Sequence, residues 1–322
     1  MPDVVQKLRN ILGERLKENE PLSPFTTFKI GGPAKYFCLV QNTDELMRIM
    51  PIIEKSGWPF FILGGGSNIL VSDNGFDGLV MKFDFNRIKN RGETLECEAG
   101  VFLSKAVGEA LSLGLSGLEW AAGIYGTVGG AIFGNAGAYS KSISEVISEV
   151  SVWRQNKIKI LKNKDCGFSY RESVFSREGN KDIILSATLK LMKGNREKIK
   201  KEVKEILAER TKKFDNYSCA GSVFKNIVLN NEEMNNFRNK FPEFPEKFMA
   251  YKKVPAGWLI EECGLKGKKI GGAQISQNHA NIIVNAGGAT AEDVVMLISI
   301  IKQKVRQKFN IQLMEEIRYV GF

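Results

Sequence analysis

The sequence predicts an α+β protein made of three consecutive units. Short apolar runs bounded by glycines alternate with helical patterns, two glycine-rich loops lie about sixty positions apart, and a third glycine-rich stretch leads into a long helix. Apolar residues at helical spacing predict helices, and short β-rich runs between turn residues predict strands. We place the three units at residues 1–86, 87–213 and 214–322.

The first unit begins its regular alternation at a helix that Asn42 and Glu45 are expected to start as a capping box. Its predicted buried face is formed by Leu46, Ile49, Met50 and Ile53. Strands are then predicted at "PFFIL" and "LVMKF", on either side of a glycine turn.

The second unit combines strands with two predicted helices. Strands are expected at "TLECEAG", "SEVSVWR", "KIKILKN" and "IILSATLKLM", and a helix at "LSKAVGEALSLGL". A basic helix, "NREKIKKEVKEILAERTKKF", closes the unit. Its core stripe is predicted at Ile199, Val203, Ile206 and Leu207, so its lysines form a solvated face.

The third unit contains a strand, "ANIIVN", and a helix from Thr290 to Phe309. Thr290 is expected to cap this helix, with Asp293 at the third helical position. The chain ends in an alternating run, "IQLMEEIRYVG", in which strand geometry sends Glu315 and Glu316 to opposite faces.

Composition limits the classes of protein. The sequence is 43% hydrophobic and 25% charged, which is ordinary for a globular protein, and no apolar run approaches the roughly 18 residues of a membrane span. The N-terminus mixes acids and bases and does not read as a signal peptide. The five cysteines are scattered without a Cys-x-x-Cys pair, so we expect no zinc site, no disulfide framework and a reducing cytoplasm.

Charge and histidine content narrow the chemistry further. The net charge is +10, which favours small anionic ligands and leaves nucleic-acid binding as the alternative. The single histidine, His279, would have to serve any Ser-His-Asp triad, and a two-histidine metal site is excluded. We therefore expect no metal.

The first glycine loop is the stretch "ILGGGSNILVSD", from Ile62 to Asp73. Three glycines allow close approach to bare backbone, and consecutive N–H groups can form an anion site. No lysine follows the glycines as in a Walker loop, and no helix follows as in a dinucleotide-fold fingerprint. A phosphate-binding loop of another kind and a tight hairpin without a ligand both remain open.

The second glycine loop is "GIYGTVGGAIFGNAGAY", from Gly123 to Tyr139. Its polar side chains include Thr127 and Asn135. Two such loops in consecutive units could hold the pyrophosphate of a dinucleotide between them, and close helix–sheet crossings are the alternative.

Seven ordered blocks carry a resemblance to a known family: "TFKIGGPA", "LGGGSNILVSD", "GTVGGAIFGNAGAY", "YRESVF", "AGSVFKN", "PAGWLIEECGLKGKKIGGAQIS" and "HANIIVNAGGATAEDV". The sequence resembles the UDP-N-acetylenolpyruvoylglucosamine reductases of bacterial peptidoglycan synthesis, from about Pro21 to Gly321. The resemblance implies a two-part FAD-binding domain of the vanillyl-alcohol-oxidase type and a C-terminal α+β substrate-binding domain. It also implies NADPH-dependent reduction of the enolpyruvyl ether to UDP-N-acetylmuramate.

The resemblance implies non-covalent FAD held by both glycine loops. The residues it assigns to the cofactor are Leu63, Gly64, Gly65, Gly66, Ser67, Asn68, Ile69, Gly123, Thr127, Gly129, Gly130, Asn135 and Gly137.

The resemblance also assigns the chemistry. Arg171 matches the family arginine that binds the substrate carboxylate, Ser222 the proton donor, and Glu316 the glutamate near the reacting carbon. Substrate-facing positions are Tyr170, Lys225, Asn226, Lys253 and His279.

Two departures from the family pattern stand out, since the family usually has proline where Tyr125 and Ile227 stand. The short link between Phe175 and Ile183 resembles the class without the tyrosine insert loop. The expected partner is a UDP-sugar, with no nucleic acid or membrane, and the protein is expected to be a monomer or weak oligomer.

Two other functions remain open at this level. An FAD-dependent alcohol or hydroxy-acid oxidase would share the flavin fold, but it would give Ser222 and Glu316 no role. A basic nucleic-acid-binding or nucleotide-sensing protein would not turn over substrate.

Overall fold

The computed structural model describes residues 2–213 and 217–322. The predicted boundary between the second and third units, at 213/214, falls at the gap and lies outside the described residues. The described residues form eight α-helices: α1 Pro2–Leu12, α2 Thr43–Ser56, α3 Leu103–Ser112, α4 Val128–Phe133, α5 Arg196–Lys213, α6 Asn231–Lys240, α7 Ala256–Glu262 and α8 Ala291–Phe309.

The described residues also form β-strands, which alternate with the helices along the chain. In chain order the first thirteen are β1 Lys17–Pro21, β2 Pro33–Val40, β3 Phe60–Leu63, β4 Ile69–Val71, β5 Phe76–Phe83, β6 Ile88–Arg91, β7 Thr94–Glu98, β8 Leu115–Ser116, β9 Gly137–Ala138, β10 Lys141–Ser142, β11 Ile147–Arg154, β12 Lys157–Lys162 and β13 Ile183–Lys190. The others are β14 Met192–Lys193, β15 Ser218–Ser222, β16 Ile227–Val228, β17 Lys253–Val254, β18 Lys269–Ile270, β19 Ala273–Ile275, β20 Ile282–Asn285 and β21 Arg318–Val320.

The first sheet has the strand order β1-β2-β5-β3, with β2, β5 and β3 parallel. Helix α2 connects β2 to β3 and buries the four predicted apolar side chains. Asn42 caps this helix by accepting the N–H of Glu45 at 2.8 Å. The capping-box prediction is wrong in its second half, because Glu45 accepts the N–H of Gln41 and pairs with Arg15 instead.

The two strands beside the first glycine loop belong to different sheets. β3 pairs with β5, whereas β4 pairs in parallel with β21 near the end of the chain. The loop is therefore not the turn of a hairpin, and that alternative is excluded. It joins the first sheet to a strand pair that brings residues 318–320 back to the first unit.

The second sheet is antiparallel, with the order β12-β11-β13-β7-β6. The predicted strands of the second unit are confirmed, and α3 buries Ala106, Val107 and Ala110 as expected. On α5, Ile199 and Ile206 are buried. Leu207 is 43% exposed, so the predicted stripe is too wide there; its side chain lies at the second glycine loop instead.

The third sheet has the order β15-β20-β19-β18 and packs against α8. Thr290 and Asp293 form the capping box of α8, so that prediction is confirmed and extended. The carboxylate of Asp73, just after β4, accepts the N–H groups of Ala291 and Glu292 at 2.9 and 3.1 Å. The first unit thus caps a helix of the third.

The buried hydrophobic side chains form separate clusters, and the limits of these clusters do not coincide with those of the sheets. One cluster of buried side chains spans the first and second sheets, and a second surrounds α8 and includes Phe28, Ile30 and Leu70 from the first unit. Among the described residues, no helix is long and apolar enough to cross a membrane.

Candidate active site

The two glycine loops contact each other directly. A Cβ atom on Gly65 would lie 2.7 Å from the Cα of Gly126, and the Ser67 hydroxyl donates to the carbonyl of Tyr125 at 2.8 Å. Gly66 has a φ of +63°, and a Cβ there would lie 2.1 Å from the carbonyl oxygen of Phe25. Much of the glycine pattern therefore serves the approach of protein backbone to protein backbone.

The first loop nevertheless retains hydrogen-bonding capacity for an anion. Within the described residues, no hydrogen bond is donated by the backbone N–H groups of Gly65, Gly66 and Ser67. In the second loop, the N–H groups of Val128, Gly129 and Gly130 are taken by Val101, Ala99 and Thr127. These donors fit a pyrophosphate on the first loop, since backbone N–H groups are a common way to hold phosphate.

Several residues assigned to the cofactor make internal contacts. Thr127 is buried and caps α4, with its hydroxyl oxygen accepting the N–H of Gly130 at 3.2 Å. Asn135 is buried; its amide donates to Ser169 at 2.7 Å and accepts from Ser144. Asn135 therefore connects the second loop to the segment that carries Tyr170.

The remaining assigned glycines differ in the space beside them. Cβ atoms on Gly123, Gly129 and Gly137 would meet Arg210, Ala99 and Lys141 within 3 Å. Gly130 is exposed, and its Cβ would meet only the hydroxyl oxygen of Thr127, at 3.5 Å.

Three further assigned positions flank this cradle. A Cβ on Gly64 would approach the same Thr127 hydroxyl, at 2.8 Å, so Gly64 and Gly130 lie side by side. Leu63 ends β3 and Ile69 begins β4, and both are buried.

Arg171 lies at the tip of a tight turn. The N–H and carbonyl groups of Ser169 and Glu172 pair with each other, which leaves Tyr170 and Arg171 as the two central residues. Arg171 has a φ of +57°, a conformation that costs free energy for a residue with a side chain and that clusters at functional sites. The turn thus fixes the backbone of Arg171, and its guanidinium donates to the carbonyl of Gly137 at 2.8 Å.

The partner of Arg171 is Glu316, with 2.7 Å between Nε and Oε1. Glu172, the next residue, pairs with Arg177 instead. Glu315 pairs with Lys302 at 2.9 Å, so the two neighbouring glutamates have different partners. The segment reaches strand geometry only at Arg318; Glu315 forms an isolated bridge with Phe224.

Burial dominates the electrostatics of Glu316. It raises the pKa of the Glu316 carboxyl above its usual value, although Arg171 and Lys225 act in the opposite direction. The same pocket lowers the pKa of Lys253 by burial and by the positive charge of Arg171. A carboxyl whose pKa is raised by burial binds a proton at a higher pH than one in water.

The predicted substrate residues surround the same place. The ammonium of Lys253 lies 4.3 Å and the guanidinium of Arg171 5.4 Å from the ring centre of Tyr170. The Tyr170 hydroxyl accepts the N–H of Asn226 at 3.3 Å, and the Asn226 amide oxygen accepts the N–H of Ala256. These contacts gather positive charge where an anionic substrate would be bound.

Ser222 joins this cluster to the first glycine loop. It ends β15 at a bulge containing Gly221, whose φ is +74° and whose Cβ would lie 4.0 Å from the carbonyl oxygen of Ser67. The next residue, Val223, accepts the N–H of Glu316 at 2.7 Å.

Asn68 has a role that its place in the glycine motif did not predict. Its side-chain amide donates to the carbonyl of Glu316 at 3.1 Å, and its own carbonyl accepts the N–H of Arg318. Arg318 was missed as well; its guanidinium lies 4.4 Å from the ring centre of Phe133 on α4. The resemblance assigned Glu316 from a glutamate followed by an aliphatic residue and an arginine, so the same signal could have found Arg318.

His279 lies at the edge of the cluster. Its Nδ1 accepts the N–H of Asn281 at 3.3 Å, and its ring borders Gly257 at the start of α7. Asn226 and His279 therefore contact the same helix, α7. Asn226 accepts the N–H of Ala256, and the His279 ring lies beside Gly257. The side chain of Tyr125, beside the first loop, is 75% exposed. Among the described residues, no group of three or more His, Cys, Asp or Glu side chains could hold a metal ion.

Replacing Glu316 with glutamine should change how stability depends on pH. Because the folded-state pKa of Glu316 is raised, the native protein binds an extra proton between the usual glutamate pKa of about 4.3 and the raised value. The wild type therefore loses stability as pH rises through that window, and Glu316→Gln does not. We expect the melting temperature of the variant, relative to wild type, to increase from pH ~4 to pH ~7 in calorimetry.

Glu315→Gln is the matched control, since it removes a carboxylate from the same segment on the other side. An equal trend in both variants would assign the effect to net charge and would contradict the role of burial at Glu316.

Comparisons with known proteins find similar sequences over nearly the whole chain. Residues 34–157 match a family model described as an FAD binding domain, and residues 212–320 match the C-terminal domain of UDP-N-acetylenolpyruvoylglucosamine reductase. The chain is 40% identical over 322 residues to the UDP-N-acetylenolpyruvoylglucosamine reductase of Caldanaerobacter subterraneus subsp. tengcongensis, covering 99% of this chain and 98% of that protein. It is 37% identical to the same enzyme of Solibacter usitatus, covering 98% and 100%.

A solved structure is similar over nearly the whole chain. The crystal structure of UDP-N-acetylenolpyruvylglucosamine reductase from Thermus caldophilus aligns with a TM-score of 0.75 and 31% identity, covering 95% of this chain and 99% of that one.

Proposed function

Because the chain belongs to the UDP-N-acetylenolpyruvoylglucosamine reductase family, we propose that Arg171, Ser222 and Glu316 carry out its reaction. The protein is an FAD-dependent oxidoreductase that reduces UDP-N-acetylenolpyruvoylglucosamine to UDP-N-acetylmuramate, with NADPH as the hydride donor, in peptidoglycan synthesis. The observation that supports the residue roles is the cluster around the Arg171–Glu316 pair, which Ser222 connects to the first glycine loop.

The first glycine loop fits FAD. The unbonded N–H groups of Gly65, Gly66 and Ser67 would hold its pyrophosphate, with Gly130 giving room alongside. FAD, when bound, supplies the hydride that reaches the terminal vinyl carbon of the substrate. We propose non-covalent binding, since the one histidine lies outside both glycine loops in sequence and its ring borders Gly257 on α7.

Arg171 would hold the substrate carboxylate. Negative charge develops there as an enolate when hydride arrives at the neighbouring double bond, and a guanidinium fork suits both oxygens. The tight turn keeps Arg171 in place without reorganisation. Glu316 competes for the same guanidinium, so its position affects how firmly the carboxylate is held.

Ser222 would protonate the carbon next to the carboxylate. A hydroxyl is a weak acid, but the acceptor is a strongly basic carbanion, and Lys225 lies close to the adjacent Glu316. Glu316 has a raised pKa and can supply or relay a proton to the same region. The N–H of Glu316 donates to the carbonyl of Val223, the residue after Ser222, so Ser222 and Glu316 lie on adjoining segments.

Four other groups would orient the UDP-sugar. Tyr170, Lys225, Asn226 and Lys253 surround Arg171, and the two lysines suit a diphosphate. His279 would approach the substrate from the α7 side, with Asn226 beside it.

A valine at Gly130 should abolish FAD binding without unfolding the protein. The side chain would occupy open space beside Gly64 and would meet only the Thr127 hydroxyl. We expect Gly130→Val to purify with at least about tenfold less flavin per chain, measured by absorbance, and with normal circular dichroism. Gly108→Val is the matched control, since Gly108 is also exposed in a helix and has no atom within 4 Å of its Cβ.

If Gly130→Val retained its full flavin content, the cofactor would not pass along this side of the cradle. Gly65 and Gly129 are less useful test positions, because a side chain at either displaces protein atoms directly.

The experiment that tests the function follows the flavin spectrum under anaerobic conditions. NADPH should bleach the yellow protein, and only the UDP-enolpyruvyl sugar should restore the colour. Bleaching of the oxidised flavin by alcohols or hydroxy acids, with the colour restored by O2, would instead identify an oxidase of the same flavin fold, in which Ser222 and Glu316 have no role. A colourless protein that does not bind FAD would contradict both.

We further propose three units at residues 1–86, 87–213 and 214–322, with the first two holding FAD and the third the substrate. Among the described residues, the five cysteines form no disulfide, which supports a reducing cytoplasm. We also propose a monomer or weak oligomer that binds a UDP-sugar and neither nucleic acid nor membrane.

A further inference from the structure

Lys82 is a half-buried lysine beneath the first glycine loop. It lies on β5, in register with Leu63 at the end of β3, and its ammonium donates to the carbonyl of Gly64 at 3.0 Å. Among the described residues, no carboxylate lies within ion-pairing distance of it. One of the three N–H groups of its ammonium is hydrogen-bonded, and no carboxylate in the described residues forms an ion pair with it.

A lysine in this position is costly without a ligand. Burial lowers the pKa of Lys82, and the only acid that opposes this shift is Asp84, two residues along the chain. Surface lysines of the same sheet behave differently; Lys35 on β2 pairs with Asp77 at 2.7 Å. A positive charge that lacks a partner in the protein is a candidate for one in the ligand.

We propose that Lys82 neutralises the pyrophosphate of FAD, acting as a phosphate-binding lysine that reaches the glycine loop from a neighbouring strand. The loop itself has no lysine after its glycines, unlike a Walker loop. The unbonded N–H groups of Gly65, Gly66 and Ser67 would orient the pyrophosphate by hydrogen bonds, and the ammonium of Lys82 would neutralise its negative charge. This inference rests on FAD binding at the first loop.

The test measures FAD release from purified, flavin-loaded protein by the rise in flavin fluorescence on dilution. We expect Lys82→Met and Lys82→Gln to raise the dissociation constant by about ten- to a hundredfold, the usual cost of losing a charged hydrogen bond. Lys82→Arg should stay within about threefold of wild type, and Lys35→Met is the surface control. Raising KCl should weaken binding of the wild type more than of Lys82→Met.

Lys82→Gln separates charge from anchoring, because glutamine can still donate to Gly64 without a charge. If Lys82→Gln bound FAD as tightly as wild type while Lys82→Met did not, Lys82 would only anchor the loop and the proposal would fail. A changed flavin midpoint potential with unchanged affinity would place the ammonium at the ring system and would also overturn it. A wild-type protein without FAD would instead contradict the proposed function.

Discussion

Replacing Ser222 with alanine should slow reduction of the enolpyruvyl substrate by about 10²–10⁴-fold, the usual cost of removing a positioned proton donor. The variant should bind FAD, and NADPH should bleach it at a near-normal rate. The reason is local, since Ser222 lies between Gly221, which approaches the first glycine loop, and Val223, whose carbonyl accepts the N–H of Glu316. The loss should appear in kcat and not in KM, because the interaction belongs to the transition state.

Stopped-flow measurement of the two half-reactions separately decides this prediction. The normal enzyme should also incorporate solvent deuterium at the carbon next to the carboxylate. Ser218→Ala, on the same strand, is the matched control. An unchanged rate of flavin reoxidation in Ser222→Ala would move the proton-donor role to Glu316, whose raised pKa makes it the next candidate.

Replacing Arg171 with alanine should lower the rate of substrate reduction by about 10²–10³-fold, as for the loss of one preorganised group that stabilises a developing anion. Substrate affinity should fall as well. The change also leaves the buried Glu316 carboxylate without its ion-pair partner, so the pKa of Glu316 should rise further. Bleaching of the flavin by NADPH should change much less, because the guanidinium pairs with Glu316 and its one bond to a glycine loop is a single donation to the carbonyl of Gly137 at 2.8 Å.

Two further variants make the result specific. Arg171→Lys keeps the charge but loses the planar fork, and it should recover only part of the rate. Arg177→Ala removes an arginine that pairs with Glu172 on the same segment and should leave both half-reactions near normal. If flavin reduction by NADPH fell as steeply as reoxidation in Arg171→Ala, the assigned role would be wrong.

The sequence predicted the elements of this fold well where a single local pattern decided them. The buried face of α2, the capping box of α8 and the strands of the second sheet follow from spacing and cap residues over a few positions. The capping box at Glu45 failed for a different reason. Arg15 lies 30 residues away in sequence, and its guanidinium takes the carboxylate that the local pattern assigned to the helix terminus.

The site was predicted by resemblance more than by pattern. Spacing alone could not distinguish a glycine that admits a ligand from one that admits protein backbone, and Gly65 contacts Gly126 while Gly130 stays open. It could not find the bond between Asn68 and Glu316 either, since these residues lie 248 positions apart. The position of Lys82 next to the first glycine loop could not be predicted from the sequence, because its pairing with Leu63 depends on how two parallel strands align.

The pairing of β4 with β21 has a consequence for how the protein is made. Residues 69–71 follow the first glycine loop directly, yet their ladder partners are residues 318–320. A ribosome must therefore complete almost the whole of this sequence before the loop gains its second supporting strand. Contacts between such distant segments form slowly because closing a long chain segment costs entropy. We expect the flavin cradle to be among the last parts of the nascent chain to close.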